Sequence, residues 1–160
     1  MKIRKYPDAV LTTSAEMVED FNDISELVDG MIETMNSAKG LGLAAPQVRV
    51  SKRVIVVSYG NNPLVLVNPV ITEIKGKILT APEGCLSLPK LQVPVKRSHW
   101  VIVRAHDRYG EPITVNAHGL VARVIQHEVD HLEGVLLLDY LPEIKRRTYA
   151  NMRGDLKSAA

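Results

Sequence analysis

The sequence predicts an α+β domain, and three observations support that prediction. Apolar residues recur at helical spacing near the start of the chain and again after residue 119. Between these segments lie short runs rich in β-branched residues, separated by Gly, Pro and Asn. Strands and helices do not alternate regularly, which argues against a βαβ fold. We therefore expect short antiparallel or mixed β-sheets packed around one central helix, with a further helix at each end.

The first helix is predicted from Ile24 to Met35, because apolar residues recur there at intervals of three and four. Asn22 or Asp23 could cap its amino terminus with a side-chain oxygen. The β-branched runs that follow predict six strand segments, since turn-forming residues bound each of them. These segments are Val54–Ser58, Leu64–Asn68, Val70–Leu79, Leu91–Val95, Trp100–His106 and Pro112–Val115.

Helical spacing returns from Leu120 to Glu133, and Gly134 stands where a glycine commonly ends a helix. A last helix is expected after Pro142, so that residues 142–160 form a carboxy-terminal helix and tail. No internal repeat or low-complexity linker divides the chain. We therefore expect residues 1–160 to form one domain.

Length, charge and cysteine content restrict the classes of protein to which the chain can belong. At 160 residues it can bury a sizeable core without disulfides or metal staples. Its 20 basic and 18 acidic residues give a net charge of +2, which does not indicate DNA or membrane binding. The lone Cys85 excludes an internal disulfide and suits a reducing compartment. With no apolar leader and no run of about 18 apolar residues, we expect a cytoplasmic protein.

The helix from Leu120 to Glu133 has three distinct faces when it is drawn as a wheel of about 100° per residue. The arc that should face the core holds Val121, Ile125, Val129 and Leu132. The arc that should face solvent holds Arg123, Gln126, Asp130 and Glu133. The flank between them holds His127, Glu128 and His131, with Leu120 and Val124 beside them.

The segment QHEVDHLEG, residues 126–134, places two histidines four residues apart with a glutamate beside the first. Residues at this spacing lie one turn apart on the same helical face, so the imidazoles of His127 and His131 can reach one cation. Metallohydrolases use the spacing H-E-x-x-H in this way. The residues also permit a plainer interpretation, in which two core or surface histidines share a helix without a metal.

A catalytic metal needs a third protein ligand. No histidine follows His131, and Glu133 lies on the predicted solvent arc, so the third ligand should come from upstream. The segment EGCLSLP, residues 83–89, holds the only thiol of the chain, and a Cys/His/His set suits iron or zinc. Cys85 could instead be a buried structural cysteine, although the adjacent Gly and Ser do not favour a core strand.

The glycine-rich segment GLGLAAPQ, residues 40–47, does not have the pattern of a nucleotide-binding loop. It lacks the Gly-Lys-Ser/Thr ending of a phosphate loop and the third glycine of a dinucleotide fingerprint. Glycines at positions 40 and 42 would instead allow a peptide backbone to approach closely.

Three motifs, taken in order, resemble those of the polypeptide deformylase family. G-x-G-x-A-A-x-Q matches residues 40–47, E-G-C-x-S matches residues 83–87, and Q-H-E-x-D-H matches residues 126–131. The resemblance includes Pro7–Leu11 and Gly134–Leu136, so it spans nearly the whole chain. The chain departs from the family pattern at two places: Pro46 precedes Gln47, and Thr12-Thr13 stands where a basic residue is expected. Both departures are slight, because neither affects a catalytic position.

The resemblance implies a metal-dependent hydrolase that removes the N-formyl group from nascent peptides beginning with formylmethionine. Cys85, His127 and His131 would hold one divalent ion, usually Fe²⁺, with Zn²⁺, Ni²⁺ or Co²⁺ as substitutes. Glu128 would act as general base and acid. The side-chain amide of Gln47 and the backbone N–H of Leu86 would stabilise the oxyanion.

The resemblance also indicates which residues would hold the substrate. Gly42 and Gly84 would pair with the peptide main chain as an added strand does. Leu41 would also contact the substrate, and an apolar pocket for the methionine side chain would be lined by Leu120 and Val124. For the last two residues, plain core packing is the alternative.

Two other functions use part of the same pattern. A zinc endopeptidase shares H-E-x-x-H but would need a downstream ligand and a longer cleft. A non-catalytic binding protein of the same fold would be expected to lack a ligand, Glu128 or Gln47, and all are present. The carboxy-terminal segment is basic and could be a solvated helix face or contact ribosomal RNA. Its cations are Lys145, Arg146, Arg147, Arg153 and Lys157.

Overall fold

A computed structural model of the protein describes the backbone of residues 1–158 and the side chains of residues 1–153. It confirms the α+β class. The helices of the described part are α1 Ser25–Ser37, α2 Gly119–Leu132 and α3 Glu143–Ser158. The helix expected after Pro142 is α3, whereas residues 159–160 of the expected tail and the side chain of Lys157 lie outside the described residues. Among residues 1–158, no helix is both long enough and apolar enough to span a bilayer.

Five strands form one sheet whose spatial order follows the order of the chain. They are β1 Gly42–Ala44, β2 Val54–Val57, β3 Leu64–Cys85, β4 Leu88–His106 and β5 Pro112–His118. Neighbouring strands are antiparallel throughout the sheet. The glycine-rich segment supplies β1, which was not predicted as a strand. Because β1 pairs only with β2, it forms one edge of the sheet.

Strands β3 and β4 are longer than the short strands expected from the sequence. The predicted segments Leu64–Asn68 and Val70–Leu79 are both part of β3, which has 22 residues. Leu91–Val95 and Trp100–His106 are likewise both part of β4, which has 19. The β3–β4 register shifts at four places, so the turn-forming residues mark bulges and not strand ends. A bulged hairpin bends and twists, and this one extends to α2.

The core is divided by the sheet, because a helix packs on each face of β2. Val54 and Val56 belong to a cluster that also contains the buried apolar side chains of α1, namely Val28, Met31 and Met35. Ile55 and Val57 belong to a cluster with the buried apolar side chains of α2, namely Ala122, Ile125 and Leu132. Burial on both faces explains why β2 is an uninterrupted apolar run. This packing sets α2 firmly against the sheet.

The helix termini agree only in part with the predictions. Asn22 and Asp23 do not cap α1, because they lie in a preceding 3₁₀ turn whose amino terminus is capped by the side chain of Asp20. The cap position of α1 is Ile24, which makes no side-chain cap. Gly134 does follow α2 and has a φ of 72°. A Cβ there would lie 2.7 Å from the carbonyl oxygen of Thr12, so the chain needs glycine at this turn.

Candidate metal centre

Two elements bring three metal-binding side chains together at one point. Helix α2 carries His127 and His131 on one face, and the carboxy-terminal end of β3 carries Cys85. One ligand atom from each of the three residues lies within 4.8 Å of the others. The Cys85 Sγ is 3.3 Å from the His131 Nε2, and the two imidazole centroids are 5.1 Å apart. The structure therefore brings together the three residues that were predicted as ligands, in an arrangement that could hold a metal ion.

Cys85 is the last residue of β3 and is only half-buried, which agrees with the expectation that its neighbours do not favour a core strand. It pairs with Leu88 across a tight turn into β4. The register shifts between Glu83 and Cys85, and this irregularity turns the end of the strand towards α2.

His127 is oriented by a buried carboxylate. Its Nδ1 donates to the Oε1 of Glu83 at 2.9 Å, which leaves Nε2 available for a cation. Burial alone would lower the pKa of His127, but hydrogen bonds to Cys85 and Glu83 outweigh it and raise the pKa to about 10. A cation bound at Nε2 must therefore displace a proton. Burial and the nearby charge of His127 lower the pKa of His131 to about 3, so that imidazole is neutral, as a ligand must be.

Glu83 remains ionised although its side chain is almost fully buried. Burial raises its pKa, but donated hydrogen bonds from His127, Arg97 and Arg123 outweigh that effect and lower the pKa to about 2. Arg97 donates to both carboxylate oxygens, at 3.1 and 3.0 Å, and Arg123 donates to Oε2 at 2.6 Å. The carboxylate is thus compensated by two cations while it holds His127.

Glu128 lies beside the ligands and is 4 % exposed. Its carboxylate packs against Gly42, where an added Cβ would meet Oε1 at 2.7 Å. The Oε2 atom has no hydrogen-bond partner in the described part of the chain. Burial raises the pKa of Glu128 to about 7, against the positive charge of His127, which lowers it. A carboxyl group with this pKa can both take up and release a proton near neutral pH.

Gln47 is held with its amide nitrogen pointing towards Cys85. Its Oε1 accepts from the Ala44 N–H at 2.9 Å, and its Nε2 donates to the Ser87 Oγ at 3.1 Å and lies 3.6 Å from the Cys85 Sγ. The amino-terminal segment ties both loops together, because Arg4 N donates to Gln47 O and Tyr6 N donates to Ser87 O. The orientation of the amide is therefore determined by the backbone on both sides.

A cavity of about 1570 Å³ opens onto these residues. Ten of the eleven predicted site residues line it: Leu41, Gly42, Gln47, Gly84, Cys85, Leu86, Leu120, Val124, His127 and Glu128. His131 is buried behind them. Leu41 and Leu120 are 51 % and 61 % exposed, so they lie at the mouth of the cavity. Core packing, the alternative for Leu120 and Val124, thus does not describe Leu120.

Three residues of α2 were wrongly assigned to solvent. Arg123 is largely buried and donates to Glu83 as well as to carbonyl oxygens of the β3–β4 hairpin. Gln126 bonds to the backbone of Ser98, and Asp130 accepts from Arg97 at 2.7 Å. The helical wheel assigned these residues to solvent because they are polar. It contains no information on the polar groups of the hairpin that packs against this face of α2. Glu133, on the same arc, is exposed as predicted.

Glu83 and Arg97 are site residues that the sequence analysis did not identify. Glu83 belongs to the E-G-C-x-S motif, which was the one available signal for it. Arg97 lies outside the motifs, in a strand where an isolated arginine would ordinarily be solvent-exposed.

Comparison with known proteins reveals extensive similarity. The family model described as polypeptide deformylase matches residues 1–147. The peptide deformylase of Thermodesulfovibrio yellowstonii is 48 % identical over 155 residues, with 93 % of each chain covered. The crystal structure of the Thermus thermophilus enzyme has a TM-score of 0.86 at 42 % identity and covers 96 % of this chain and 92 % of its own. The Ehrlichia chaffeensis enzyme in complex with actinonin has a TM-score of 0.92 at 35 % identity, covering 97 % and 96 %.

The contact between Glu83 and His127 predicts the behaviour of Glu83→Gln. Loss of the negative charge should reduce metal affinity by about 10–100-fold, the usual effect of removing a partner that orients a histidine ligand. Competition with a chromophoric chelator measures this affinity. Glu73→Gln, at an exposed position of the same strand, is the matched control and should bind metal as the unaltered protein does. Equal affinity of the two variants would contradict the orienting role of Glu83.

Proposed function

The chain belongs to the polypeptide deformylase family, and on this premise we propose the part that each residue of the candidate metal centre takes in the reaction. Enzymes of this family are metal-dependent hydrolases that remove the N-formyl group from nascent peptides, and the chain is such an enzyme. Hydrolysis of a formyl amide releases formate and a free amino terminus. The residues 1–160 would act as one domain.

One observation carries the assignment of residues: Cys85, His127 and His131 meet beside the buried Glu128, and all of these except His131 line the cavity. A thiolate and two imidazoles suit a divalent iron or zinc ion, so the donor set fits the group that the family requires. The Oε2 atom of Glu128, the residue next to His127, is buried and has no hydrogen-bond partner among the described residues. When bound, the cation polarises the formyl oxygen and makes water more acidic.

Glu128 moves the proton. Its carboxylate accepts a proton from the water molecule whose oxygen attacks the formyl carbon, and the same proton then passes to the amide nitrogen as the C–N bond breaks. A pKa raised to about 7 by burial allows the group both to accept and to release a proton near neutral pH. Gly42 leaves room for this carboxylate, which any side chain at that position would displace.

Gln47 and Leu86 stabilise the negative charge that develops on the formyl oxygen. The amide of Gln47 is immobilised by the N–H of Ala44 and the hydroxyl of Ser87, so its donor needs no reorientation during the reaction. Leu86 directly follows Cys85 and lines the cavity, where its backbone N–H would be the second donor.

The peptide substrate is held as an added strand and an apolar anchor. Gly42 belongs to β1, the edge strand of the sheet, and Gly84 lies one residue before Cys85, so both offer backbone groups at the cavity. The methionine side chain would enter the apolar pocket lined by Leu41, Leu120 and Val124. Leu41 and Leu120 at the mouth would lose exposed apolar surface when this side chain binds.

The cation is proposed to be Fe²⁺, with Zn²⁺, Ni²⁺ or Co²⁺ able to replace it. The thiolate of Cys85 supports this proposal, because soft sulfur and imidazole donors suit these ions. Metal analysis of protein purified without oxygen checks the proposal. Stoichiometric zinc without iron would contradict it.

The protein is proposed to act in the cytoplasm, where nascent formylated peptides are made. We propose that its carboxy-terminal helix α3 reaches ribosomal RNA through the exposed Lys145 and Arg146, since phosphate attracts such a basic surface. Arg153 is half-buried and donates to the carbonyl oxygen of Tyr6. Arg147 is paired with Glu143 on the same helix and contributes less to this attraction.

The first prediction from the proposed function distinguishes a deformylase from an endopeptidase. Formyl-Met-Ala-Ser should be cleaved far faster than acetyl-Met-Ala-Ser, because the larger acyl group would clash at the crowded ligand set. Replacing Met with Gly should cost about 2–3 kcal/mol in transition-state binding, as expected for one buried apolar side chain. Formate release and product masses measure both effects. Cleavage of an internal amide with the formyl group intact would overturn the assignment.

The second prediction concerns Glu128. Because Glu128 is proposed as a base and not as a ligand, Glu128→Ala should keep its metal while the rate falls at least about 100-fold. Metal content and formate release are measured on the same preparation. Glu133→Ala, at the exposed end of α2, should keep both properties. Loss of metal from a folded Glu128→Ala protein would refute the proposed role.

The third prediction tests the basic face of α3. Replacing Lys145 and Arg146 together by Glu should weaken co-sedimentation with ribosomes at low salt, because phosphate contacts depend on positive charge. Turnover of a formylated dipeptide should not change. If sedimentation is also unchanged, the segment is a solvated helix face.

A further inference from the structure

Beyond Glu83, a second layer of contacts surrounds the metal centre. Arg97 of β4 is 5 % exposed, and its guanidinium lies between two carboxylates. On one side it donates to both oxygens of Glu83, which holds His127. On the other side its Nη1 donates to Asp130 Oδ2 at 2.7 Å. Asp130 lies on α2 between the two histidine ligands, so both carboxylates are tied to the ligand helix.

Tyr140 completes the second side of this arrangement. It is the last residue of a 3₁₀ turn, Leu137–Tyr140, that follows α2. Its hydroxyl donates to Asp130 Oδ2 at 2.6 Å and accepts from Arg97 Nη1 at 3.1 Å. The guanidinium carbon also lies 5.1 Å from the centre of the tyrosine ring.

The hydroxyl of Tyr140, a residue that is 41 % exposed, adds a contact to the buried guanidinium of Arg97. Without this hydroxyl, Arg97 Nη1 would still donate to Asp130 Oδ2, but one contact in place of two would hold the guanidinium on that side. A guanidinium that is held less firmly there can shift, and a shift would weaken its two contacts with Glu83. Arg123 alone would then fix the carboxylate that orients His127.

We propose that Tyr140 is a positioning residue for the deformylation reaction: it holds Arg97 against Glu83 and so fixes the imidazole of His127. This inference rests on the proposed role of His127 as a ligand. Within the described residues, Tyr140 touches neither the ligand atoms nor the cavity, and it acts through three consecutive contacts. None of the sequence motifs includes it.

Tyr140→Phe tests the proposal, since it removes two hydrogen bonds and leaves the ring in place. The protein is loaded with Co²⁺, and the release of cobalt to an excess of chelator is timed. We expect cobalt release to be about 3–10-fold faster than from the unaltered protein. Direct partners of histidine ligands alter metal affinity by about 10–100-fold, and the effect of Tyr140 should be smaller because Arg97 and Glu83 lie between it and His127. The visible absorption bands of bound Co²⁺ should also shift.

Tyr109→Phe is the matched control, because Tyr109 is 76 % exposed and lies in a loop between β4 and β5. It should release cobalt at the unaltered rate. Thermal unfolding of each metal-free protein identifies a temperature at which all variants are folded, so that general destabilisation does not contribute. Deformylation by Tyr140→Phe should show a lower kcat with little change in KM, since the substrate pocket is not affected.

A double-mutant cycle tests whether Tyr140 acts through Arg97. Arg97→Lys removes the two-pronged contact with Glu83 and should accelerate cobalt release by itself. Adding Tyr140→Phe to that variant should then have no further effect. Unchanged release from Tyr140→Phe, or additive effects of the two changes, would overturn the proposal while the function stands. Failure of the unaltered protein to bind cobalt or release formate would contradict the proposed function and this inference with it.

Discussion

The buried charge of Glu83 governs how the β3–β4 hairpin meets helix α2. An ionised carboxylate in a protein interior is tolerated only when donors surround it. The three donors to Glu83 come from β4 and α2, and the carboxylate itself belongs to β3. Compensation of one charge therefore requires that the hairpin and the helix meet in a single orientation. The same contact brings Cys85, two residues after Glu83, to the histidines of α2.

Two carboxylates near one another serve different purposes because their surroundings differ. Glu83 receives hydrogen bonds from two arginines and a histidine, and its pKa falls to about 2. Glu128 is equally buried but has an oxygen without a partner among the described residues, and its pKa rises to about 7. The first group is thus a permanent anion suited to orienting His127. The second can exchange a proton at neutral pH, which is the property that general acid–base chemistry needs.

The candidate metal centre is held rigid by the packing of α1, α2 and the sheet around it. Helix α2 is packed against the inner face of the sheet by Ile125 and Leu132, and α1 supports the opposite face of β2. The loops that carry Gln47 and Ser87 are joined by backbone hydrogen bonds from the amino-terminal segment. Substrate residues would therefore meet groups whose positions are already set, which is how pre-organised donors lower a reaction barrier.

Local sequence patterns were sufficient for the class of the fold, for the positions of the main helices and for the choice of Cys85, His127 and His131 as candidate metal ligands. These features depend on local geometry, because helical spacing alone places His127 and His131 on one face and the lone thiol leaves little choice for the third donor. Other features followed from contacts between distant parts of the chain. The turn-forming residues became bulges and did not end β3 or β4. Arg123 and Asp130 came to face the hairpin and not water. The contacts of Glu83, Arg97 and Tyr140 were likewise set by the tertiary structure. The physical reason is that a polar residue has no preferred partner along the chain: the bend of a distant hairpin determines whether it meets solvent or a buried charge.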